Sequence, residues 1–233
     1  MRSVVLLSGG LDSTVSLAHA LRESEVELCL TMDYGQRSAA REINSASAIA
    51  EYYDLNHMVV DLPFLRKITF SALVNTSKEV PNPSAGLLDD LQAALDRAAA
   101  VWVPNRNGVF INIAASFAEA LDCGLIVTGF NREEARTFPD NSPAFVKAAN
   151  EALAFSTRNH VRVVSYTQRL DKVEIVQLGK KLNVPWRLIW SCYHGGSEMC
   201  GTCESCRRFF RAMKEAGIDG FSAEPDCFGN SSV

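Results

Sequence analysis

Ser8-Gly9-Gly10-Leu11-Asp12-Ser13-Thr14 follows the apolar run Val4-Val5-Leu6-Leu7 and opens a helical pattern. That order suits a loop that grips phosphates. Two adjacent glycines let the backbone approach an anion and adopt positive φ without a Cβ penalty. Ser8, Ser13 and Thr14 add hydroxyls, and the free N–H groups of a helix starting near Asp12 point at the same spot, so the helix dipole favours a pyrophosphate there. Asp12 is out of place beside an anion unless a cation accompanies it, which makes it a candidate Mg²⁺ contact or a helix cap. The loop lacks the Gly-Lys-Ser/Thr ending of a Walker A sequence, which disfavours P-loop kinases and GTPases.

A second group of residues suits a metal. Four of the seven cysteines fall at Cys192-x7-Cys200-x2-Cys203-x2-Cys206, with Gly195, Gly196 and Gly201 supplying turns. Closely spaced thiolates on a tight knuckle can turn to one tetrahedral zinc, and four protein ligands make the site structural, because a catalytic zinc keeps a position open. A four-cysteine iron–sulfur cluster is the competing reading. Cys29 sits in an apolar run and reads as a small buried hydrophobe, as do Cys123 and Cys227.

The elements that must position these groups alternate along the chain. Near-continuous apolar runs cover Val4 to Leu7, Val26 to Met32, Met58 to Val60, Leu125 to Thr128 and Val161 to Val164. Runs without polar alternation are what parallel strands covered on both faces show. Between them Thr14, Leu17, Ala18 and Leu21 recur at helical spacing, as do Ile43, Ala46 and Ala50, then Phe117, Ala118 and Leu121, then Ile175, Leu178 and Leu182. Such alternation predicts an α/β fold, a doubly wound parallel sheet whose ligand crevice lies at the carboxyl ends of the strands. Ser8, Asp33 and Thr128 fall at such ends. We expect residues 1–185 to form this phosphate-gripping domain and residues 186–233 a small cysteine-bearing helical region packed on it. Pro81 to Gly86 breaks regular structure, and Leu87 to Ala100 is helix-compatible, as a lid or a surface insertion would be.

The 233 residues are 47% hydrophobic and 21% charged, with a net charge of −4. That is ordinary for a soluble globular chain, and no apolar stretch approaches the ~20 residues of a membrane span. No signal-peptide pattern opens the sequence, so a cytoplasmic location is expected. Without a long basic block, direct nucleic-acid binding is not expected and small molecules are the default ligands. Arg207, Arg208, Arg211 and Lys214 do cluster after Cys206, at spacings typical of a solvated helix surface. An ATP-binding zinc module without turnover would instead use that face for a partner.

Other strand-end segments offer polar groups. Asp33-Tyr34-Gly35-Gln36-Arg37-Ser38 ends the second run, and Val127-Thr128-Gly129-Phe130 ends the fourth. Val103-Pro104-Asn105-Arg106-Asn107-Gly108 carries donors and acceptors suited to a heteroaromatic edge or a carboxylate. Phe138-Pro139-Asp140-Asn141 makes a rigid loop whose Asp140 is able to pair with a guanine-like N–H edge, or to close an Asx turn. Lys172 begins a helix and can reach phosphates.

Taken together, SGGLDST at 8–14, YGQRS at 34–38, VPNRN at 103–107, FPDN at 138–141, the segment from Lys172 to Val176, and Ser191-Cys192-Tyr193 with its CGxCxxC are similar to the 7-cyano-7-deazaguanine synthases of the PP-loop ATP pyrophosphatase superfamily. The likeness spans residues 3 to about 215. It implies an enzyme of the queuosine pathway that uses ATP, ammonia and 7-carboxy-7-deazaguanine, works as a homodimer, and holds one structural zinc and Mg²⁺ with ATP. On this resemblance, Ser8, Gly9, Gly10, Leu11, Asp12, Ser13, Thr14, Asp33, Tyr34 and Gly129 would bind ATP, with adenine meeting the end of the second strand. Asp12, Ser13, Lys172 and Arg106 would be catalytic. Gln36, Arg106, Asn107, Phe138 and Asp140 would bind the deazaguanine, and Cys192, Cys200, Cys203 and Cys206 the zinc. Two departures stand out: Phe138 replaces an expected tyrosine, and Glu133-Glu134 replaces an Asp/Ser-type pair. A relative passing the adenylated deazaguanine to another amine is the alternative enzyme.

Overall fold

Five short apolar segments pair side by side, all parallel: β1 (Arg2–Leu6), β2 (Glu25–Asp33), β3 (His57–Asp61), β4 (Leu125–Thr128) and β5 (Arg162–Ser165), in the order β3-β2-β1-β4-β5. The computed structural model describes residues 1–221, so Cys227 and the last part of the 186–233 region lie outside the described residues. Successive side chains of a strand point to opposite faces. Val4, Leu30 and Ile126 accordingly enter one core, while Val5, Leu7, Cys29 and Val127 enter the other. Both faces are covered along β1, β2 and β4, which is why those segments show apolar runs rather than alternation. The edge strand β3 departs from that expectation, since Met58 and Val59 are exposed.

Helices α1 (Leu11–Glu23), α2 (Ala39–Tyr52), α3 (Pro63–Ile68), α4 (Leu91–Val101), α5 (Arg106–Ala120), α6 (Pro143–Ser156), α7 (Lys172–Leu182) and α8 (Glu204–Glu215) complete the fold. The periodic residues read from the sequence fall on α1, α2, α5 and α7. β1 leads through α1 to β2 on one side, and β4 lies on the other, so the order of strands reverses between β1 and β4. A crevice opens at the carboxyl ends there. Helix α5 leads into β4 and so runs antiparallel to the strands, placing its N-terminus at the same edge. That corrects one expectation: the Val103–Gly108 segment reaches the crevice from the end of α4, not from a strand.

A third core joins Leu11, Val15 and Ala18 of α1 to Ile175 and Val176 of α7, and these to Cys192, Cys203, Cys206, Phe209 and Met213 of the cysteine-bearing region. The C-terminal residues therefore share a core with the helix that follows the glycine loop. Segment 75–101 holds α4 against the crevice, with Ala94, Ala98 and Val101 buried along its wall.

Candidate active site

A cleft of about 300 Å³ opens at the switch point, lined by Ser8, Gly10, Leu11, Asp12 and Ser13 of the loop, Gly129 after β4, and Lys172 of α7. Gly9 has φ +74°, and a Cβ there would lie 2.5 Å from Ser45 Oγ. Only glycine fits in both respects. The Gly9 carbonyl accepts from Trp190 N and Ser45 Oγ, each at 2.9 Å, so α2 and the cysteine-bearing region tie the loop from behind. Gly10 is the N-cap of α1 and no side chain caps the first turn, which suits an anion docking there. Gly129 is needed because a Cβ would meet Ser13 N at 2.7 Å. Not every hydroxyl faces the cleft. Ser8 and Ser13 bond each other at 3.1 Å, but Thr14 is fully buried and donates to the Gly10 carbonyl at 2.7 Å, so it holds the helix turn instead.

Asp12 does not cap α1, because it lies inside the first turn and points to α7. A capping box between Asp171 and Glu174 fixes the start of α7. Lys172 thereby enters the cleft, where its Nζ donates to Asp12 Oδ2 at 2.5 Å and to Glu134 Oε1 at 2.8 Å. Asp12 Oδ1 is buried without a partner. Burial pushes Asp12 up to about 6, with the Lys172 charge pulling the other way. For Lys172, burial is outweighed by its two carboxylates, which hold it above the usual lysine range. Glu134 stays below the usual carboxylate range, since Lys172 and Asn131 outweigh its burial. A buried, unpartnered carboxylate oxygen beside an anion-facing loop suits a cation.

The other side of the cleft is aromatic. Arg106 opens α5 behind Asn105, the helix N-cap, at φ 51°. Asn107, the second residue of α5, is buried and lines the cleft. Arg106 Nη1 donates to Tyr34 Oη at 3.2 Å, and its guanidinium lies 5.7 Å from the Tyr34 ring centre and 6.0 Å from that of Phe110. Burial alone would lower the Arg106 pKa, yet Tyr34 and Asp140 hold it above its ordinary value. Phe138 stacks on Trp102 with centroids 6.3 Å apart, and Asn107 Nδ2 donates to the Asp140 carbonyl at 3.4 Å. Tyr34, Gln36, Arg106, Asn107 and Phe138 all line the cleft. Gln36 spends its amide on Tyr34 N, the Met32 carbonyl and Glu42. The side chains of Asp33 and Asp140 are outside the lining. Asp33 accepts from Gly35 N at 2.9 Å and closes the turn. Burial raises Asp140, and the nearby Arg106 charge offsets part of that rise.

Several lining residues escaped sequence reasoning. Glu42 accepts from Ser38 and Gln36 in the cleft wall, and burial pushes it above the usual carboxylate range. Tyr193 enters from the cysteine-bearing region. Arg208 is no solvated helix residue: its side chain is only 16% exposed and it bonds Glu133, Glu204 and the Leu88 carbonyl. Glu133 and Glu134 stand out in the sequence only as departures from the family pattern.

Cys192, Cys200, Cys203 and Cys206 bring four sulfurs within 4.8 Å of one another. Backbone N–H groups of His194 and Cys200 point at Cys192 Sγ at 3.3 and 3.4 Å, and those of Thr202 and Cys203 at Cys200 Sγ at 3.4 and 3.3 Å. N–H donors aimed at sulfur suit thiolates. Hydrogen bonding with Cys192 pushes Cys203 up to about 12 and Cys206 further up, while Cys192 is pulled down in return. The cluster fits a metal ion.

An uncapped helix N-terminus at the switch point of a parallel sheet, reached by a glycine loop without a Walker lysine, is the site of an α/β protein that docks an anionic ligand. The chain belongs to the QueC family: residues 2–217 match the model described as "Queuosine biosynthesis protein QueC". It is 62% identical over 218 residues to the 7-cyano-7-deazaguanine synthase of Pelotomaculum thermopropionicum, covering 94% of this chain and 99% of that one. A synthase of the same name from Desulforudis audaxviator is 57% identical over 93% of this chain and 98% of its own length. An archaeal one from Methanosarcina mazei is 44% identical over 94% and 96%. No helix among the described residues is long and apolar enough to cross a membrane.

Proposed function

We infer that this chain converts 7-carboxy-7-deazaguanine and ammonia to 7-cyano-7-deazaguanine at the expense of ATP. The family match along nearly the whole chain carries this reading. A carboxylate is a poor electrophile. Transfer of AMP to it, with release of pyrophosphate, makes an acyl-adenylate that ammonia attacks, giving the amide and AMP. A second ATP adenylates the amide oxygen, and loss of AMP and a proton leaves the nitrile. The protein's part is to position reactants and to neutralise charge on the departing pyrophosphate.

Ser8, Gly10, Leu11 and Ser13 line the place where phosphates would meet the α1 N-terminus, with Gly9 and Thr14 shaping the loop. Adenine would pack along the end of β2, where Met32 and Tyr34 line the cleft. Asp12, through its free oxygen, would hold Mg²⁺ with the phosphates, and the ion would supply charge neutralisation there. Lys172 would reach the phosphates once that cation takes up Asp12. Arg106, Asn107 and Phe138 would hold the flat deazaguanine, with Arg106 facing a carboxylate or carbonyl edge. The four sulfurs would hold one structural zinc, since a tetrahedron with Zn–S near about 2.3 Å puts sulfurs roughly 3.8 Å apart, and Cys200 and Cys206 stand at 3.9 Å. Such a thiolate set fits the reducing cytoplasm, where we place the enzyme. We also propose a homodimer, for which exposed Met58, Val59, Phe64, Ile68 and Phe70 on edge strand β3, α3 and the residues after it offer an apolar face.

Mass spectrometry of a reaction holding 7-carboxy-7-deazaguanine, ATP, Mg²⁺ and ammonium tests the activity. The nitrile, AMP and pyrophosphate should form. ADP and phosphate as the nucleotide products would refute adenylation, and an amine adduct in place of the nitrile would refute the acceptor.

A further inference from the structure

We propose that Arg208, on the helix that follows the four-cysteine knuckle, is a positioning residue that sets the catalytic lysine through Glu133. The inference rests on the activity read above. Three observations carry it, and the first is the bonding path. Arg208 Nη1 donates to Glu133 Oε2 at 3.0 Å, and the other oxygen of the same carboxylate, Oε1, accepts the backbone N–H of Lys172 at 2.8 Å. One carboxylate thus bridges a guanidinium of α8 to the first residue of α7. Lys172 then reaches Asp12 and Glu134 from that fixed start.

The second observation is how tightly Arg208 itself is held. Its Nε and Nη2 donate to Glu204 Oε1 at 3.1 and 2.9 Å, and Nη2 also donates to the Leu88 carbonyl at 2.9 Å. The side chains of Arg208, Glu133 and Glu204 are 16, 18 and 17% exposed, so water screens these charges little. A planar guanidinium serves several acceptors in fixed directions, as a lysine cannot. The third is the origin of α8. Cys203 is its N-cap, Cys206 lies in its first turn, and Phe209 and Met213 pack it against Ile175 and Val176 of α7. The knuckle fixes where α8 begins, and two residues past Cys206 the helix delivers the group that grips Glu133.

The Glu133-Glu134 pair then divides its work. Glu134 meets the lysine ammonium, and Glu133 meets the lysine backbone. A serine in place of Glu133 is too short and uncharged to span both α7 and α8.

A double-mutant cycle tests this. Arg208→Gln and Glu133→Gln are each measured for turnover, alone and together, with binding-competent enzyme counted by ATP titration calorimetry and metal content by emission spectrometry. A shift of about 1 Å in a reacting group can cost about 10²-fold. We expect each single variant to lose about tenfold to a hundredfold in kcat, with KM for ATP changed less than threefold and metal retained. The double variant should be no worse than the more damaged single one, since both break one path. Arg208→Lys should recover only part of the loss, and Lys214→Gln, on an exposed position of the same helix, should lose nothing. Additive losses would overturn the proposal, because Arg208 would then act elsewhere. So would a kcat that is normal per binding-competent molecule, which would make the residue purely structural. Wild-type turnover in the same assay separates failure of this path from failure of the proposed activity.

Discussion

The two sides of the cleft are built in opposite ways. The proposed phosphate side centres on one stretch, residues 8–14, whose glycines, hydroxyls and helix start are neighbours in sequence and in space, with Gly129 and Lys172 joining it from elsewhere. The aromatic side, where the deazaguanine is proposed to bind, sets Arg106, Phe110 and Phe138 around Tyr34 of the β2 end, three distant segments joined by a guanidinium–phenol contact and the Asn107 bond to the Asp140 carbonyl. Local construction makes the loop readable, because its own groups are placed by one turn and the helix that turn opens. Long-range construction makes the second side adjustable, since each group depends on how another element packs. Substitutions on the phosphate side should therefore strike catalysis, and those on the other side should strike recognition.

The largest effect is expected at Asp12. Asp12→Ala removes the unpartnered oxygen and half of the Lys172 clamp, and should lower turnover by about 10³-fold, the scale of one lost preorganised electrostatic group, while circular dichroism stays unchanged. The same residue gives the pH dependence. With Asp12 raised to about 6 by burial, turnover should fall on an acid limb centred near that value as the carboxylate is protonated. Its effect on folding has the opposite sign: the stability it lends is fully present below 3.8 and is lost as pH rises through about 6, because the fold favours the neutral form. Activity that declines towards acid while this contribution to stability grows is the signature to seek by paired rate and thermal melts. A flat rate profile between pH 5 and pH 7 would remove Asp12 from the chemistry.

Disabling the knuckle's proposed metal site ranks next. Cys206→Ser should abolish metal binding and cost on the order of 4 kcal/mol, or roughly 10 °C in Tm for a chain of this size. Because α8 shares its core with α1 and α7, the residual protein should also lose turnover through the glycine loop's ties to Trp190. Full stability without metal would show that the apolar core alone holds the knuckle.

How legible each side was follows from the same difference. The central strands were readable because both of their faces are covered, and the cysteines because their spacing is local. Thr14 was misplaced, since a threonine one turn into a helix can turn its hydroxyl back to the carbonyl four residues earlier, here that of Gly10. Arg208 was unreadable because its acceptors Glu133, Glu204 and Leu88 come from three places in the chain, and helical spacing alone cannot tell a charge facing water from one facing a buried acid. Asp33 resembled a ligand and is a turn former, a distinction that only the Gly35 N–H settles.

On the recognition side, Arg106→Met should weaken 7-carboxy-7-deazaguanine binding by roughly tenfold to a hundredfold, the loss of a charge-assisted bond, with ATP affinity within about twofold by calorimetry. Equal losses for both ligands would mean that Arg106 shapes the whole cleft and that its two sides are not separate.

The smallest effect is expected at Asp140, and it separates two ways of using a carboxylate. Were Asp140 to pair directly with the N–H edge of the deazaguanine, Asp140→Asn would cost as much as Arg106→Met. Its side chain is instead outside the cleft lining, accepts from Asn141 Nδ2 at 3.3 Å, and offers its main-chain carbonyl to Asn107. Its carboxylate acts on Arg106 through charge, without a close ion pair. An attraction of that kind, partly screened, is worth about 0.5 kcal/mol, or roughly twofold to threefold in affinity. Asn keeps the backbone bond and the side-chain acceptor, so only the charge is lost. The loss should also vanish in an Arg106→Met background, because the charge would have nothing left to act on. A tenfold or greater loss that persists in that background would bring Asp140 into contact with the ligand and make the deazaguanine side close on binding.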